Sequence, residues 1–242
     1  MNKEKRTFVT AHRGASGLAP ENTLASISLA MELGADFCEI DAQETADGKI
    51  VLLHDSSLNR TTNSIGKIWK LNFAEIQNAD AGSWYSQDFT GEKIPTLESA
   101  IDFVKGRMKL NIELKTNGYQ KQLAERVVEI IEKKNFINHC ILTSFNLQEI
   151  KKVKLINPQI KTGLIFSKIP KENIWNFEFD LFSIDKKLAT RDFIQNAHQA
   201  GKEVHVWTVN KERQMKKLLE LEVDNIITNF PNVLIEILKD RK

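Results

Sequence analysis

The sequence predicts an α/β protein, a (β/α)8 TIM barrel with a small inserted cap subdomain. Apolar, β-branched runs alternate with amphipathic stretches almost from end to end, which is typical of a parallel sheet built from repeated βα units. Nine segments resemble β-strands, and one of them is the returning arm of a hairpin, which leaves eight strands for the barrel. Because a chain of 242 residues can bury one sizeable core, we expect residues 1–242 to form a single domain.

Nine segments have the composition of β-strands. They cover residues 8–12, 37–43, 49–54, 108–115, 140–145, 162–166, 181–185, 204–209 and 225–229. The second and third are separated by a short stretch that contains Asp47 and Gly48, and Asp-Gly is a strong signal for a tight turn. We therefore interpret these two as a hairpin whose returning arm is not a barrel strand.

Amphipathic helices are predicted between the strands, since apolar residues recur there at helical spacing. They cover residues 23–33, 96–104, 120–134, 147–156, 190–200, 211–222 and 231–238. Most begin at a capping residue such as Thr23 or at a first-turn proline such as Pro231, and Gly34 stands where a helix should end. The interval after the sixth segment is the exception, because residues 171–177 make a poor helix.

One long interval breaks this rhythm. Residues 56–107 exceed an ordinary βα loop, are rich in Asn, Ser, Thr and Gly, and carry Trp69, Trp84, Tyr85 and Phe89. Loops of this size are often lids or small subdomains. We predict that this stretch is a cap over the barrel mouth. The alternative is that its aromatic side chains only pack against the side of the barrel.

Composition bounds the partners and the location. The formal net charge is +2, from 34 basic and 32 acidic side chains mixed along the chain, which argues against a nucleic-acid or anionic-membrane surface. We expect no stable membrane insertion, since no run approaches the ~20 apolar residues of a membrane span. The expected location is the cytoplasm, because no signal-peptide pattern follows the charged start. Cys38 and Cys140 are predicted to be reduced and buried.

Carboxylates stand near the ends of two predicted barrel strands. Glu39 and Asp41 share one strand, Glu113 shares the next with Lys115, and alternate residues of a strand point the same way. Three carboxylates that converge repel one another, so they either take up protons or recruit a cation. Hard oxygen ligands favour Mg²⁺ or Ca²⁺ over zinc. We predict a divalent-metal site; the alternative is that each acid is only an ion-pair partner.

Two histidines stand near the same place. His12 ends the first strand and His54 ends the returning arm of the hairpin. If Asp47 and Gly48 are the two loop residues, counting outward puts His54 directly across from Asp41. A lone histidine on an apolar strand is usually a core residue, but this position favours a catalytic one. Two histidines that flank a phosphoryl group can serve as general acid and general base.

Fixed positive charge completes the pattern. Arg13 and Lys115 follow the same strand ends, and a guanidinium matches the bidentate geometry of a phosphate. Gly14 leaves room for a ligand to approach the backbone, although a simple turn glycine is an equal explanation. Together the residues predict metal-assisted phosphoryl transfer.

The motifs of the chain, taken in order, resemble the glycerophosphodiester phosphodiesterase family over nearly the whole length. They are His12-Arg13-Gly14, Pro20-Glu21-Asn22-Thr23, the stretch 34–41, Thr45-Ala46-Asp47-Gly48, His54-Asp55, Leu58-Asn59-Arg60-Thr61-Thr62, Pro95-Thr96-Leu97, the stretch 111–115, Ser144-Phe145 and Trp207-Thr208-Val209-Asn210. Each motif alone is weak evidence for the resemblance, whereas their occurrence together in this order is specific for the family. Asn229 departs from the family, which has Asp there; we expect altered electrostatics at the rim or altered helix capping, not inactivity.

The resemblance implies hydrolysis of deacylated phospholipid head groups, as a small-molecule glycerophosphodiester substrate, to sn-glycerol 3-phosphate and an alcohol. The implied roles are cation ligands for Glu39, Asp41 and Glu113, an acid/base pair for His12 and His54, phosphate binding for Arg13 and Lys115, and packing near the glycerol end for Trp207. It also implies that a glycerol hydroxyl attacks first and that water opens the resulting cyclic phosphate.

Two other interpretations stay open. One is an enzyme on the same barrel that acts on lipid phosphodiesters, such as a lysophospholipase D or a phospholipase C-like enzyme, because the aromatic residues of the insertion keep lysophospholipids among the candidate substrates. The other is a barrel that binds phosphoesters without catalysis. We assign His139, His198, Asp185 and Glu98 to structure. The sequence makes no prediction for head-group preference or oligomeric state.

Overall fold

The computed structural model describes residues 6–171 and 173–241. The strands are β1 (Phe8–His12), β2 (Phe37–Glu44), β3 (Ile50–Leu52), β4 (Lys109–Leu114), β5 (Cys140–Ser144), β6 (Lys161–Phe166), β7 (Leu181–Asp185), β8 (Glu203–Trp207) and β9 (Asn225–Thr228). The helices are α1 (Leu24–Leu33), α2 (Phe73–Ile76), α3 (Leu97–Val104), α4 (Leu123–Lys133), α5 (Leu147–Ile156), α6 (Arg191–Gln199), α7 (Glu212–Glu220) and α8 (Pro231–Lys239).

Eight of the strands form a closed parallel barrel. Their order is β1-β2-β4-β5-β6-β7-β8-β9, and the barrel closes because β1 pairs with both β2 and β9. Helices lie between consecutive barrel strands along the chain, except between β6 and β7, where the described residues form no α-helix. The predicted TIM barrel is confirmed, and the functional site is therefore expected at the carboxyl ends of the strands.

The hairpin is confirmed, but its predicted register is wrong by one residue. β3 runs antiparallel to β2 with Ala42 opposite Leu52. Counting on from this pair places Leu53, not His54, across from Asp41, and the Leu53 N–H donates to the Asp41 carbonyl over 3.0 Å. His54 therefore lies one residue past the position that the sequence predicted.

The hairpin loop explains this shift. The Thr45 N–H donates to the Lys49 carbonyl and the Gly48 N–H to the Thr45 carbonyl, each over 3.0 Å, so three residues lie between Thr45 and Lys49. Gly48 has φ of 82°, whereas Asp47 keeps a negative φ. A two-residue type I′ loop needs positive φ at both central residues, and a three-residue loop needs it at the last residue only.

Between β6 and β7 the outer layer differs from the rest of the barrel. The described residues of this interval form one short 3₁₀ turn, Ile174–Asn176, and no α-helix, in agreement with the poor helical pattern. Trp175 packs against Phe182 and Phe193, with ring centroids 5.3 and 5.5 Å apart. Aromatic packing thus covers the strands where a helix would otherwise lie.

The stretch between β3 and α3 has a small apolar cluster of its own. Leu58, Ile68, Ile76 and Ile94 are buried in it. Trp69 stacks on Tyr119 of the β4–α4 loop, with centroids 4.5 Å apart. Helix α3, which lies inside the range 56–107, instead packs with the main barrel core. Within this range, α3 therefore packs as part of the barrel.

The barrel interior contains both apolar and polar side chains. At the amino-terminal ends of the strands Phe37, Ile141 and Leu181 form a buried apolar cluster. Thr10, which pairs with Phe37 between β1 and β2, donates its hydroxyl hydrogen to the Asn225 side chain over 2.8 Å. Beneath the site the barrel is thus filled by side chains.

Two further sequence predictions concern cysteines and membrane spans. Cys38 and Cys140 are both free and buried, as predicted. Within residues 6–171 and 173–241, no helix combines the length and the apolar character needed to cross a bilayer.

We expect Gly163→Ala to lower the free energy of unfolding by about 1–3 kcal/mol, the usual cost of overpacking a core. A Cβ at Gly163 would lie 2.3 Å from Leu181 Cδ1 and 3.2 Å from Thr143 Cγ2. Urea denaturation measures the change. In a Leu181→Ala background the same substitution should cost clearly less, because the clash is gone. An equal cost in both backgrounds would contradict this explanation.

Candidate active site

A cavity opens at the carboxyl ends of the barrel strands. It is lined by His12, Arg13, Glu39, His54, Asn111, Glu113, Lys115, Thr143, Phe145, Ile165, Ser183, Trp207, Thr208 and Ile227. Seven of the eight residues predicted from the sequence are in this set. The eighth, Asp41, lies just behind the surface and is 1% exposed.

The three predicted carboxylates converge. Glu39, Asp41 and Glu113 each offer an oxygen within 4.8 Å of the others. The strands cause this arrangement, because Glu39 and Asp41 are alternate residues of β2 and Asp41 is paired in register with Glu113 of β4. Asp41 Oδ1 has no hydrogen-bond partner among the described residues. The group is therefore able to accept a cation.

The charges of these carboxylates are unequal. Burial raises the pKa of Glu39 well above its usual range, and Asp41 and Glu113 add to the effect. Burial and Asp41 also raise the pKa of Glu113, to about 7. For Asp41 burial opposes ionisation, but Arg13 and Lys115 outweigh it and lower the pKa. Such a group either holds protons or binds a divalent cation, and its all-oxygen donor set suits the second.

The two predicted cations contact the same carboxylates. Arg13 Nε lies 3.2 Å from Asp41 Oδ2. Lys115 Nζ lies 2.8 Å from Glu113 Oε1 and 3.6 Å from Asp41 Oδ1. Burial favours the neutral form of Lys115, but Asp41 and Glu113 outweigh it and raise its pKa. Both residues are therefore positively charged at the cavity wall.

The chain turns sharply after β1. Arg13 and Gly14 both have positive φ, 54° and 81°, and the Arg13 N–H donates to Glu39 Oε2 over 2.9 Å. A Cβ on Gly14 would lie 2.6 Å from the backbone carbon of Ser26. The glycine is therefore required by close packing against α1 and by its conformation, not by the approach of a ligand.

His12 is held from behind by Asn229. Its Nδ1 donates to Asn229 Oδ1 over 2.7 Å, while Nε2 lies 4.0 Å from Glu39 Oε2. Burial, followed by the charge of Arg13, lowers the pKa of His12 to about 4. We expected Asn229 to alter electrostatics at the rim or helix capping. The structure instead places its side chain in direct contact with His12. The two lie 217 positions apart, so their contact is not visible in the sequence.

We expect Asn229→Asp to raise the pKa of His12 by about one to three pH units, because a carboxylate beside the ring favours the charged imidazolium. The protonated form of His12 would then persist to higher pH. NMR titration of the ring carbons measures this change. Asn229→Ser removes the amide without adding charge, and it should move the titration much less. Equal titrations of His12 in the Asp and Ser variants would contradict the prediction.

His54 reaches the cavity although it lies beyond the hairpin pairs. Its Nδ1 contacts Asp55 Oδ1 at 2.7 Å, which leaves Nε2 for a ligand. Burial lowers the pKa of His54, with Asp41 opposing this and Arg13 adding to it. The histidine pair of the prediction is thus brought to one cavity.

Trp207 lines the cavity beside Phe145, an aromatic residue that was not among the predicted site residues. The rings of Trp207 and Phe145 meet edge to face at 5.7 Å, and Lys115 Nζ lies 5.9 Å from the Phe145 ring centroid. Phe145 is 49% exposed. The available signals were its place in the motif Ser144-Phe145 and its position directly after β5.

Asn22 is a second residue that was missed. Its Nδ2 donates to Asp41 Oδ2 over 2.8 Å, and its Oδ1 accepts from the Asp41 N–H over 3.0 Å. The residue is buried and has φ of 57°. It fixes the rotation of the Asp41 carboxylate, and the signals for it were its place in the motif Pro20-Glu21-Asn22-Thr23 and in a polar loop after the first strand.

The geometry agrees with comparisons to known proteins. A model of the "Glycerophosphoryl diester phosphodiesterase family" matches residues 12–233. The chain is 32% identical over 247 residues to a glycerophosphodiester phosphodiesterase of Caldanaerobacter subterraneus, covering 97% of this chain and 98% of the relative. It is 30% identical over 244 residues to one of Bacillus altitudinis, covering 98% and 100%. A solved phosphodiesterase of Oleispira antarctica, in complex with the product sn-glycerol-3-phosphate, has a TM-score of 0.89 and 33% identity, covering 96% of each chain.

Proposed function

The chain belongs to the glycerophosphoryl diester phosphodiesterase family, and from this premise we propose that it hydrolyses glycerophosphodiesters to sn-glycerol 3-phosphate and an alcohol. The observation that carries the proposal is one cavity in which a buried carboxylate group meets two histidines and two fixed cations. The Oleispira antarctica phosphodiesterase, solved with sn-glycerol-3-phosphate, supports the same product here.

We propose Mg²⁺ or Ca²⁺ as the cofactor, held by Glu39, Asp41 and Glu113. The fit rests on Asp41 Oδ1, which has no hydrogen-bond partner among the described residues, and on three oxygen donors that repel one another. Oxygen donors of this kind suit either ion. When bound, the cation would polarise the phosphoryl oxygens and ease the loss of a proton from the attacking hydroxyl.

His12 suits the role of general base. Its pKa of about 4 keeps the ring neutral at neutral pH, and Asn229 fixes the tautomer because the amide oxygen accepts the Nδ1 proton. The Nε2 lone pair then faces the cavity. A base must be unprotonated and within reach of the proton that it removes, and His12 meets the first condition.

His54 suits the role of general acid. Burial lowers the pKa of His54, but its Nδ1 contacts the Asp55 carboxylate, which opposes this effect, and a bound phosphodiester would add a second negative charge that favours the imidazolium form. Protonated Nε2 can then give its proton to the oxygen of the departing alcohol. The two histidines have different partners, an amide for His12 and a carboxylate for His54, and this difference separates their roles.

The remaining residues orient the substrate. Arg13 and Lys115 provide positive charge for the phosphate oxygens, and Trp207 with Phe145 offers an apolar wall for the glycerol carbons. We propose the two-step route that the family resemblance implies, in which His12 first takes the proton of a glycerol hydroxyl. In the second step water opens the cyclic phosphate with the proton transfers reversed.

We also propose that residues 1–242 act as one barrel domain and that the predicted cap insertion, 56–107, contributes its part before α3 to the mouth. Contacts of this stretch support the second point. Trp69 stacks on Tyr119 of the β4–α4 loop, whereas Trp84, Tyr85 and Phe89 pack against one another.

A substrate panel tests the function. Glycerophosphocholine, glycerophosphoethanolamine and a lysophospholipid are assayed side by side, each with and without a chelator. Chelator-sensitive release of glycerol 3-phosphate from the first two supports the proposal. Preference for the lysophospholipid would favour the lipid-directed alternative, and binding without turnover of any compound would favour the non-catalytic one.

A further inference from the structure

Outside the cavity, the guanidinium of Arg60 lies between two carboxylates. Its Nε and Nη2 donate to Asp55 Oδ2 and Oδ1 over 2.7 and 3.1 Å. Its Nη1 and Nη2 donate to Glu21 Oε2 and Oε1, both over 2.8 Å. Arg60 belongs to the inserted stretch after β3, whereas Glu21 lies in the loop after β1. One side chain thus joins two separate loops.

Each of these carboxylates also holds a residue of the cavity. Asp55 Oδ1 contacts His54 Nδ1 at 2.7 Å. Glu21 Oε1 accepts from Arg13 Nη1 over 2.9 Å. Arg60 itself is not among the residues that line the cavity, so it acts on them only through Asp55 and Glu21.

We propose that Arg60 is a positioning residue that orients His54 through Asp55 and Arg13 through Glu21. The proposal rests on the function proposed above and adds a residue to it. A guanidinium presents five donors in one plane, so it binds two carboxylates in bidentate fashion at once. A lysine ammonium has no such geometry. The insertion, through Arg60, therefore takes part in organising the site.

The backbone under Arg60 is fixed. Leu58 is fully buried, and the Thr62 hydroxyl donates to the Leu58 carbonyl over 2.8 Å. The bonds from Arg60 also hold the pKa of Asp55 below its usual range, so Asp55 stays an acceptor for the His54 N–H. The anchored backbone at Arg60 and the charged carboxylate of Asp55 together allow Arg60 to hold the His54 ring in one orientation.

The first test compares Arg60→Met and Arg60→Lys with a matched control, Arg126→Met. Arg126 is likewise partly exposed and lies 3.0 Å from a buried carboxylate, that of Glu44, but it does not line the cavity. We expect both Arg60 variants to lower kcat/KM for glycerophosphocholine by about 10–100-fold, the usual effect of losing a supporting partner, with Lys giving little rescue. Arg126→Met should keep wild-type kinetics even where its melting temperature falls.

The second test asks whether Arg60 acts through its partners. Asp55→Asn combined with Glu21→Gln should lower kcat/KM, and adding Arg60→Met to this pair should cause little further loss, because both routes from Arg60 are already broken. A merely structural role predicts multiplied losses. Wild-type kinetics in Arg60→Met, or multiplied losses in the triple variant, would overturn the proposal.

An NMR measurement separates this proposal from the proposed function. In wild-type protein the His54 Nδ1 proton should appear far downfield, as expected for a proton shared with a carboxylate. It should be lost or moved upfield in Arg60→Met and kept in Arg126→Met. An unchanged signal in Arg60→Met refutes the positioning role, whether or not any glycerophosphodiester is hydrolysed. An inactive wild-type protein would instead refute the function.

Discussion

Removal of divalent cations should lower turnover of glycerophosphodiesters by at least about a hundredfold, because the charge that a metal ion stabilises in such reactions is worth several kcal/mol. Mg²⁺ or Ca²⁺ should restore the rate. The structural reason is the group of Glu39, Asp41 and Glu113, whose oxygens lie within 4.8 Å of one another. Arg13 and Lys115 contact Asp41, but they leave Oδ1 of Asp41 without a hydrogen bond.

Two variants test this cation requirement: Glu113→Gln changes a proposed ligand, and Glu98→Gln is the matched control. Glu113→Gln should lose both activity and cation binding by calorimetry. Glu98→Gln should change neither, because Glu98 pairs with Lys49 outside the cavity. Stability gives a readout without substrate: at a cation concentration of 100 times Kd, wild-type protein should gain about 2.7 kcal/mol, and Glu113→Gln should gain little. Full turnover after exhaustive chelation would show that the carboxylates serve only as ion-pair partners.

His12→Ala and His54→Ala should each lower kcat by at least about a hundredfold, the lower end of what general acid–base catalysis contributes. Both side chains line the cavity, and each is held through Nδ1, by Asn229 and by Asp55. His139→Ala is the control, because His139 lies at the start of β5, at the opposite end of the barrel strands from the cavity. It should keep nearly full turnover.

The leaving group distinguishes the two histidines. A glycerol phosphodiester of p-nitrophenol releases a phenolate that needs no proton. His54→Ala should therefore regain much of its lost rate on this compound, whereas His12→Ala should not, since the attacking hydroxyl still needs a base. Recovery of the rate in His12→Ala but not in His54→Ala would make His12 the general acid and His54 the general base. Near-normal turnover in either alanine variant would remove that histidine from the mechanism.

The barrel was predictable from local pattern alone. The segment at 181–185 has the predicted bounds, and helix α5 begins and ends where the spacing of apolar residues predicted. Alternation along β2 was enough to place Glu39 and Asp41 on one face. The register between β2 and β4, which the sequence does not state, then brought Glu113 to them.

Turn geometry and distant contacts were not predictable in the same way. The hairpin register depended on whether Asp47 takes a positive φ, and an Asp-Gly pair allows either loop. Asn229 was recognised as unusual, but its contact with His12 depends on the closure of β1 against β9. Arg60 was noted only as part of a motif, because its two partners lie in different loops. The expected cytoplasmic location stays a prediction.

The apolar cluster of Phe37, Ile141 and Leu181 has a kinetic consequence. It blocks passage through the amino-terminal end of the barrel, so the ester enters and both products leave at the carboxyl ends of the strands. The product nearer that opening must leave first. The product bound deeper in the cavity is then released last and occupies the site that the next ester molecule needs. Added to the assay, it should therefore inhibit hydrolysis competitively with the ester.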